Sequence, residues 1–176
     1  NVIDACAAPG NKTSHIAAIL TTRMHDGATK GSCEHIYAFD KSSERKNLLQ
    51  SRMANAGAES IVQVTETDFL TIDTASNIYS RVTTVLLDPS CSGSGVARDL
   101  GRLGNNDKSS PRGRARLDKL RGFQVQAIHK AMELPSITLL SYSTCSVWEE
   151  ENESVVAEVL TTARQRGWRL LAPPRM

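Results

Sequence analysis

The stretch DACAAPGNKTSHIAAIL, from Asp4 to Leu20, decides how the chain folds. An acid closes a short apolar run, and a turn of small residues with a Pro-Gly pair follows. Lys12 and Thr13 then open a segment in which Ile16, Ile19 and Leu20 share one face at helical spacing. Strand, tight turn and helix make the first half of a βα unit. The same alternation continues outward. Asn1–Asp4 reads as a strand, Thr13–Arg23 as a helix and Ile36–Asp40 as a second strand. Ser42 is an N-cap for a helix whose apolar stripe is Leu48, Leu49 and Met53, and Gly57 is its stop. Ile61–Thr65 and Val82–Asp88 read as strands, Arg116–Met132 as a helix and Ile137–Tyr142 as a fifth strand. Ser146 to Glu149 matches a capping box, opening a helix that carries Val155, Val156, Val159 and Leu160. Strands alternating with helices predict an α/β fold with a mostly parallel sheet covered on both faces.

In such a sheet ligands bind beyond the carboxyl ends of the strands. Those ends carry Asp4, Asp40, Asp88 and Ser143–Cys145, with Asp68 just past the third strand. The opening turn is not a Walker A loop, because Asn11 and Cys6 stand where glycines are required. Gly10 alone does not make a dinucleotide fingerprint. What remains is a turn from Cys6 through Ala7, Ala8, Pro9, Gly10 and Asn11 to Lys12, whose small residues let the backbone approach a ligand closely. Asp40 suits a ribose diol, and Asp68 suits the amine and ring edge of adenine. Together they describe an adenosine-containing ligand without phosphates, for which S-adenosylmethionine is the usual case. The bland alternative is that each Asp caps a helix or a turn.

The other limits are broad. The 176 residues carry a net charge of +2 and have no run long enough to cross a bilayer, so the expectation is one globular domain that does not enter a membrane. Four cysteines, Cys6, Cys33, Cys91 and Cys145, form no CxxC pair, which predicts reduced thiols in an intracellular protein with no metal site. Starting at Asn1 inside an apolar run, the chain reads as a piece of a longer protein. Arg98 to Arg121 is rich in Arg and Lys, and residues 98–119 are expected to be a flexible basic loop that binds RNA phosphates; the alternative is a solvated linker. A serine hydrolase is disfavoured, since no G-x-S-x-G elbow occurs.

Two later stretches carry the chemistry: LLDPSCSGSG (Leu86–Gly95) and SYSTCSVWEEEN (Ser141–Asn152). With DACAAPGNKT they resemble the motifs of the Sun-domain RNA (cytosine-5) methyltransferases. DPSCSGSG and YSTCS followed by EEEN resemble the eukaryotic branch acting on large-subunit ribosomal RNA. The likeness runs from Val2 to about Val159 and implies a Rossmann-like class I methyltransferase core truncated at both ends. Its implied cofactor is S-adenosylmethionine, its partner RNA and its compartment the nucleus or nucleolus; a monomer is favoured.

Two cysteines have a physical rationale. Carbon 5 of cytosine is a poor nucleophile, so a thiolate must first add at carbon 6, making an enamine that can attack a sulfonium methyl group. Cys145, directly before the expected N-cap Ser146, is placed to gain thiolate character from the helix start, and the resemblance assigns it as nucleophile. The resemblance implies that Cys91 assists product release and that Lys12 lies near the target base. Asp88 is suited to the N3/N4 edge of cytosine. Arg45, five after the ribose acid, matches a cofactor-associated position; its alternative is a solvated helix residue. Cys6 and Cys33 read as small buried hydrophobes. Two departures stand out. Gly10-Asn11 replaces the usual Gly-Gly, and Ser90 separates Pro89 from Cys91, the latter fitting the ribosomal branch. Family members also carry RNA-binding elements ahead of this domain and further strands behind it, of which Trp168–Met176 supplies one at most. The same reaction on transfer RNA, or a silent RNA-binding scaffold for ribosome assembly, remain as alternatives.

Overall fold

The computed structural model describes residues 1–25, 34–96 and 109–171. The chain divides into two compact units, Asn1–Pro89 with Lys130–Ser143, and Ser90–His129 with Thr144–Met176.

The first unit is a five-stranded sheet of β1 (Val2–Asp4), β2 (Ile36–Asp40), β3 (Val62–Glu66), β4 (Thr84–Leu87) and β5 (Leu139–Tyr142). Its order is β3-β2-β1-β4-β5 and every pairing is parallel. All five β2 residues are buried, as a central parallel strand requires. Alternation sends Ile36 and Ala38 to one face, where they pack with Ala17 and Leu20 of α1 (Asn11–His25) and Leu49 and Met53 of α2 (Ser43–Asn55). Tyr37 and Phe39 point to the other face, where Tyr79 meets them edge-on at ring-centroid distances of 5.3 and 6.0 Å and Phe69 lies 6.2 Å from Phe39.

The caps of α2 follow the expectation. The Ser42 hydroxyl accepts from the Arg45 N–H, and Gly57 adopts φ +65°. Its N–H reaches the Ala54 carbonyl while the Ala58 N–H reaches that of Met53, a Schellman ending. Helix α1 begins at Asn11, two residues before the expected Thr13. Ile19 and Leu48, expected on apolar faces, are exposed; Leu20, Leu49 and Met53 are buried as expected, and Ala17 is buried beside them.

In the second unit two expectations are corrected. Helix α3 spans Pro111–Ala131, so residues 111–119 of the expected basic loop are helical. Ser110 is its cap, accepting from the Gly113 N–H at 3.1 Å, and Pro111 sits at the first helical position, where its missing N–H costs nothing. Leu117, Gln124, Ala127, Ile128 and Ala131 are buried, while Arg112, Arg116 and Lys119 line the exposed face. Residues 98–108 of that loop lie outside the described residues, as do Cys33 and most of Trp168–Met176.

The second correction concerns the capping box. Helix α4 runs Glu153–Ala163 behind a 3-10 turn at Glu149–Glu151, and Ser146 caps neither. Its hydroxyl instead accepts from the Trp148 N–H, two residues on. The helix-start argument for a Cys145 thiolate therefore falls, because α4 begins eight residues later. Among the described residues, no helix is long and apolar enough to cross a membrane.

Candidate functional site

In the first unit, parallel register brings the strand ends to one edge of the sheet. The order reverses between β2-β1 and β1-β4, and that switch point carries Asp4 and the residue after β4, Asp88. Asp4 is fully buried and accepts from the Thr13 hydroxyl at 2.7 Å. Burial, with a smaller push from the Asp88 charge, raises its pKa to about 6 against the pull of that hydrogen bond. Asp88 is held on both oxygens: Lys12 forms an ion pair with Oδ2 and the Ser143 hydroxyl donates to Oδ1 at 3.0 Å. Lys12 and Asp88, expected together at the target base, are thus in direct contact.

The turn between β1 and α1 packs tightly. The Ala8-Pro9 peptide is cis, and Ala7 and Ala8 are buried. Gly10 has φ +105°, and a Cβ there would stand 2.8 Å from Leu49 Cδ1 and 3.0 Å from Met53 Cε. Only glycine fits that backbone so near α2. Asn11, where the resemblance leads one to expect glycine, accepts from Arg52 through its side-chain oxygen at 2.8 Å. Arg45 links this turn to β2: its Nε pairs with Asp40 Oδ2 at 3.0 Å and its Nη2 donates to the Ala8 carbonyl at 2.6 Å. That is more than a solvated helix arginine does. Asp40 Oδ1 also accepts the Ser42 N–H. Asp68 accepts from the Leu70 N–H, capping the 3-10 turn Phe69–Thr71, so the turn-capping role is real whatever else its second oxygen does. Burial, then the charges of Asp4 and Asp40, push the Cys6 thiol up to about 12, which makes it inert at neutral pH.

The donor set fits an adenosine ligand with a zwitterionic tail. Small residues and a positive-φ glycine bring backbone close to the strand edge, and a carboxylate ends β2. Asp40 and Arg45 offer both signs of charge there.

The second unit holds both motif cysteines. Their sulfurs lie 3.1 Å apart, within reach of an S–H···S hydrogen bond. Cys145 is exposed and Cys91 half-buried. Burial and then the Cys145 hydrogen bond raise the Cys91 pKa to about 11. The two loops are knitted together by hydroxyls. Ser92, Ser94 and Ser146 form a triangle of 3.0 to 3.1 Å contacts, and Ser94 also accepts the Val147 N–H. Gly95 donates its N–H to the Cys145 carbonyl at 3.0 Å, and a Cβ there would lie 2.9 Å from that oxygen. Ser92, Ser94 and Ser146 are therefore scaffolding for the thiol loops.

Residue types and spacing alone gave no sign of Gln124 or of the hydroxyl triangle, whose members are up to 54 residues apart. Glu151 was visible only as part of EEEN.

Comparison with known proteins bears on both units. A 28S rRNA (cytosine-C(5))-methyltransferase of Mus musculus is 45% identical over 161 residues, covering 91% of this chain and 31% of that protein. A 25S rRNA (cytosine-C(5))-methyltransferase of Schizosaccharomyces pombe is 38% identical, covering 92% of this chain and 32% of that protein. The chain spans about a third of the length of these relatives. Among solved structures, NSun6 from Pyrococcus horikoshii with SFG superposes with a TM-score of 0.61 at 26% identity, covering 92% of this chain and 36% of that one. A family model described as 16S rRNA methyltransferase RsmB/F matches residues 1–172, and with the parallel sheet and both cysteine motifs in place, the chain belongs to that family.

Proposed function

We propose that this chain is the catalytic core of an S-adenosylmethionine-dependent RNA (cytosine-C5) methyltransferase acting on large-subunit ribosomal RNA in the nucleolus. The observation that carries the reading is the pair of sulfurs 3.1 Å apart, one exposed and one with its pKa raised to about 11. A protein that only bound RNA would have no use for two unbridged thiols in contact. The ribosomal target rests on the relatives' names.

The roles divide by environment. Cys145 is the nucleophile: its sulfur bonds to carbon 6 of cytosine, and the electron pair of the ring double bond moves toward carbon 5. Asp88, held by Lys12 and Ser143, accepts from the exocyclic amine, which selects cytosine over uracil. S-adenosylmethionine, when bound, supplies an electrophilic methyl group to carbon 5. The turn Cys6–Lys12 lets backbone meet it closely, Asp40 takes the ribose hydroxyls with Arg45 fixing its carboxylate, and Asp68 takes the adenine amine. The carbon-5 proton then passes to water, the electron pair of its C–H bond re-forms the ring double bond, and the sulfur–carbon 6 bond breaks with its pair returning to Cys145 as thiolate. Cys91, which keeps its own proton at neutral pH, assists by donating a hydrogen bond to the departing Cys145 sulfur. Exposed Arg112, Arg116 and Lys119 on α3 contact RNA phosphates.

The test is trapping. With 5-fluorocytidine-substituted ribosomal RNA and cofactor, the full-length protein should form an adduct that survives denaturing electrophoresis, since fluorine cannot leave as a proton. Cys145→Ala should abolish the adduct and lower methylation of normal RNA by on the order of 10⁴-fold or more. Loss of the adduct with Cys91→Ala alone would exchange the two roles. Absence of any adduct, despite RNA and cofactor binding, would point to the silent scaffold.

A further inference from the structure

The chemistry above leaves the end of EEEN without a task, yet its geometry is specific. Glu151 is fully buried, and burying a carboxylate is costly unless hydrogen bonds replace its water. Both of its oxygens grip one peptide group, the N–H of Ser92, at 2.9 and 3.2 Å. Ser92 directly follows Cys91. Gln124 completes the frame from α3: its amide nitrogen donates to the carbonyl of Ser90, directly before Cys91, at 3.1 Å and to Glu151 Oε1 at 3.0 Å. The peptide groups on both sides of Cys91 are thus tied to the same two buried side chains. The Gln124 amide oxygen is left buried with no partner among the described residues, so two acceptors dictate the orientation of the amide at the expense of its own acceptor.

The next residue does the corresponding work for the other thiol. Asn152 donates to the Ser146 and Trp148 carbonyls at 3.0 and 2.8 Å and accepts from the Thr144 hydroxyl at 2.7 Å. Two consecutive residues therefore hold the two cysteine loops, Glu151 the turn of Cys91 and Asn152 the loop of Cys145. Apolar side chains would fill this volume with less desolvation, so packing does not explain a buried acid here.

We propose that Glu151, braced by Gln124, is a positioning residue for product release: it holds the Cys91 turn so that its thiol stays in contact with that of Cys145. The proposal rests on the release role of Cys91, and the experiment separates the two. In the full-length protein with unsubstituted ribosomal RNA and cofactor, Cys91→Ala serves as reference and should accumulate a denaturation-stable adduct, because methyl transfer proceeds and elimination does not. Glu151→Gln removes the charge and one acceptor at nearly constant volume. It should slow release by on the order of 10- to 100-fold and accumulate the same adduct, with methyl transfer in a single turnover affected much less. Glu151→Asp, which keeps the carboxylate, should restore part of the release rate.

A second readout needs no activity. Phenylarsine oxide bridges two thiols in contact, and its capture by the Cys91–Cys145 pair, judged against Cys91→Ala and Cys145→Ala, should weaken about tenfold in both Glu151→Gln and Gln124→Met, in line with the effect of lost outer hydrogen bonds on a ligand pair. Release at the wild-type rate in Glu151→Gln, with adduct in Cys91→Ala, overturns the positioning role and leaves the function standing. Equal losses of transfer and release, with unchanged arsenical capture, also overturn it. No adduct in Cys91→Ala removes the release role and the proposal with it.

Discussion

The two units hold their functional groups by different means. In the sheet unit, Asp4, Asp40, Asp88 and Ser143 reach one edge because five parallel strands end there; backbone pairing places them and side chains only trim their orientation. In the cysteine unit no strand is present among the described residues, and two loops are held by side chains: a buried carboxylate, a buried amide and three hydroxyls. The contrast is visible in the thiols. Cys6, in the sheet unit, is driven to about 12 mainly by burial and is inert, whereas Cys91 owes part of its rise to its partner thiol. Topology sets the carboxylates along one edge of the sheet. A side-chain clasp holds two thiols in contact through single polar atoms.

The largest effect that would break this comparison is in the sheet unit itself. Gly10→Ala places a Cβ against Leu49 in a backbone conformation that disfavours side chains, and should cost about 2–4 kcal/mol in urea unfolding. A cost near zero would mean that the turn is pliable and that its placement does not come from packing on α2.

Next in size is a pH effect. The Asp4 pKa is raised to about 6, so between its ordinary value of 3.8 and that point the folded chain keeps a proton the unfolded chain has released. Its favourable contribution is complete at low pH and is lost as pH rises through about 6. Asp4→Asn should therefore gain stability relative to wild type on going from about pH 4 to pH 7.5, by up to about 2–3 kcal/mol. The same difference at both pH values would contradict the burial of a titrating acid at the switch point.

The smallest effect probes the exposed face of α3. Changing Arg112, Arg116 and Lys119 together to Ala should leave the thermal midpoint near wild type, lower RNA affinity and flatten its logarithmic salt slope by about 2. An unchanged slope would make that face an ordinary solvated surface.

Much of the sheet unit was legible from residue order. A period of two or near four, Ser42 before α2, Gly57 after it and acids at strand ends are local signals, and local signals survive folding when topology agrees with them. Where the structure departs from these local signals, a second cue or a longer-range contact prevails. Ser110-Pro111 is a helix start hidden inside a basic run that looked like a loop. Ser146 to Glu149 has the spacing of a capping box, but the Ser146 hydroxyl is taken up by Trp148, Ser92 and Ser94, so the helix waits until Glu153.

Order of elements, the strand-end acids and the presence of two motif cysteines are written in the chain, because each depends on neighbours within a few residues. The contact between the cysteines is not. It depends on Glu151 reaching Ser92 across 59 positions and on Gln124 reaching Glu151 across 27, and no local pattern reports which buried polar atoms will meet once the loops close.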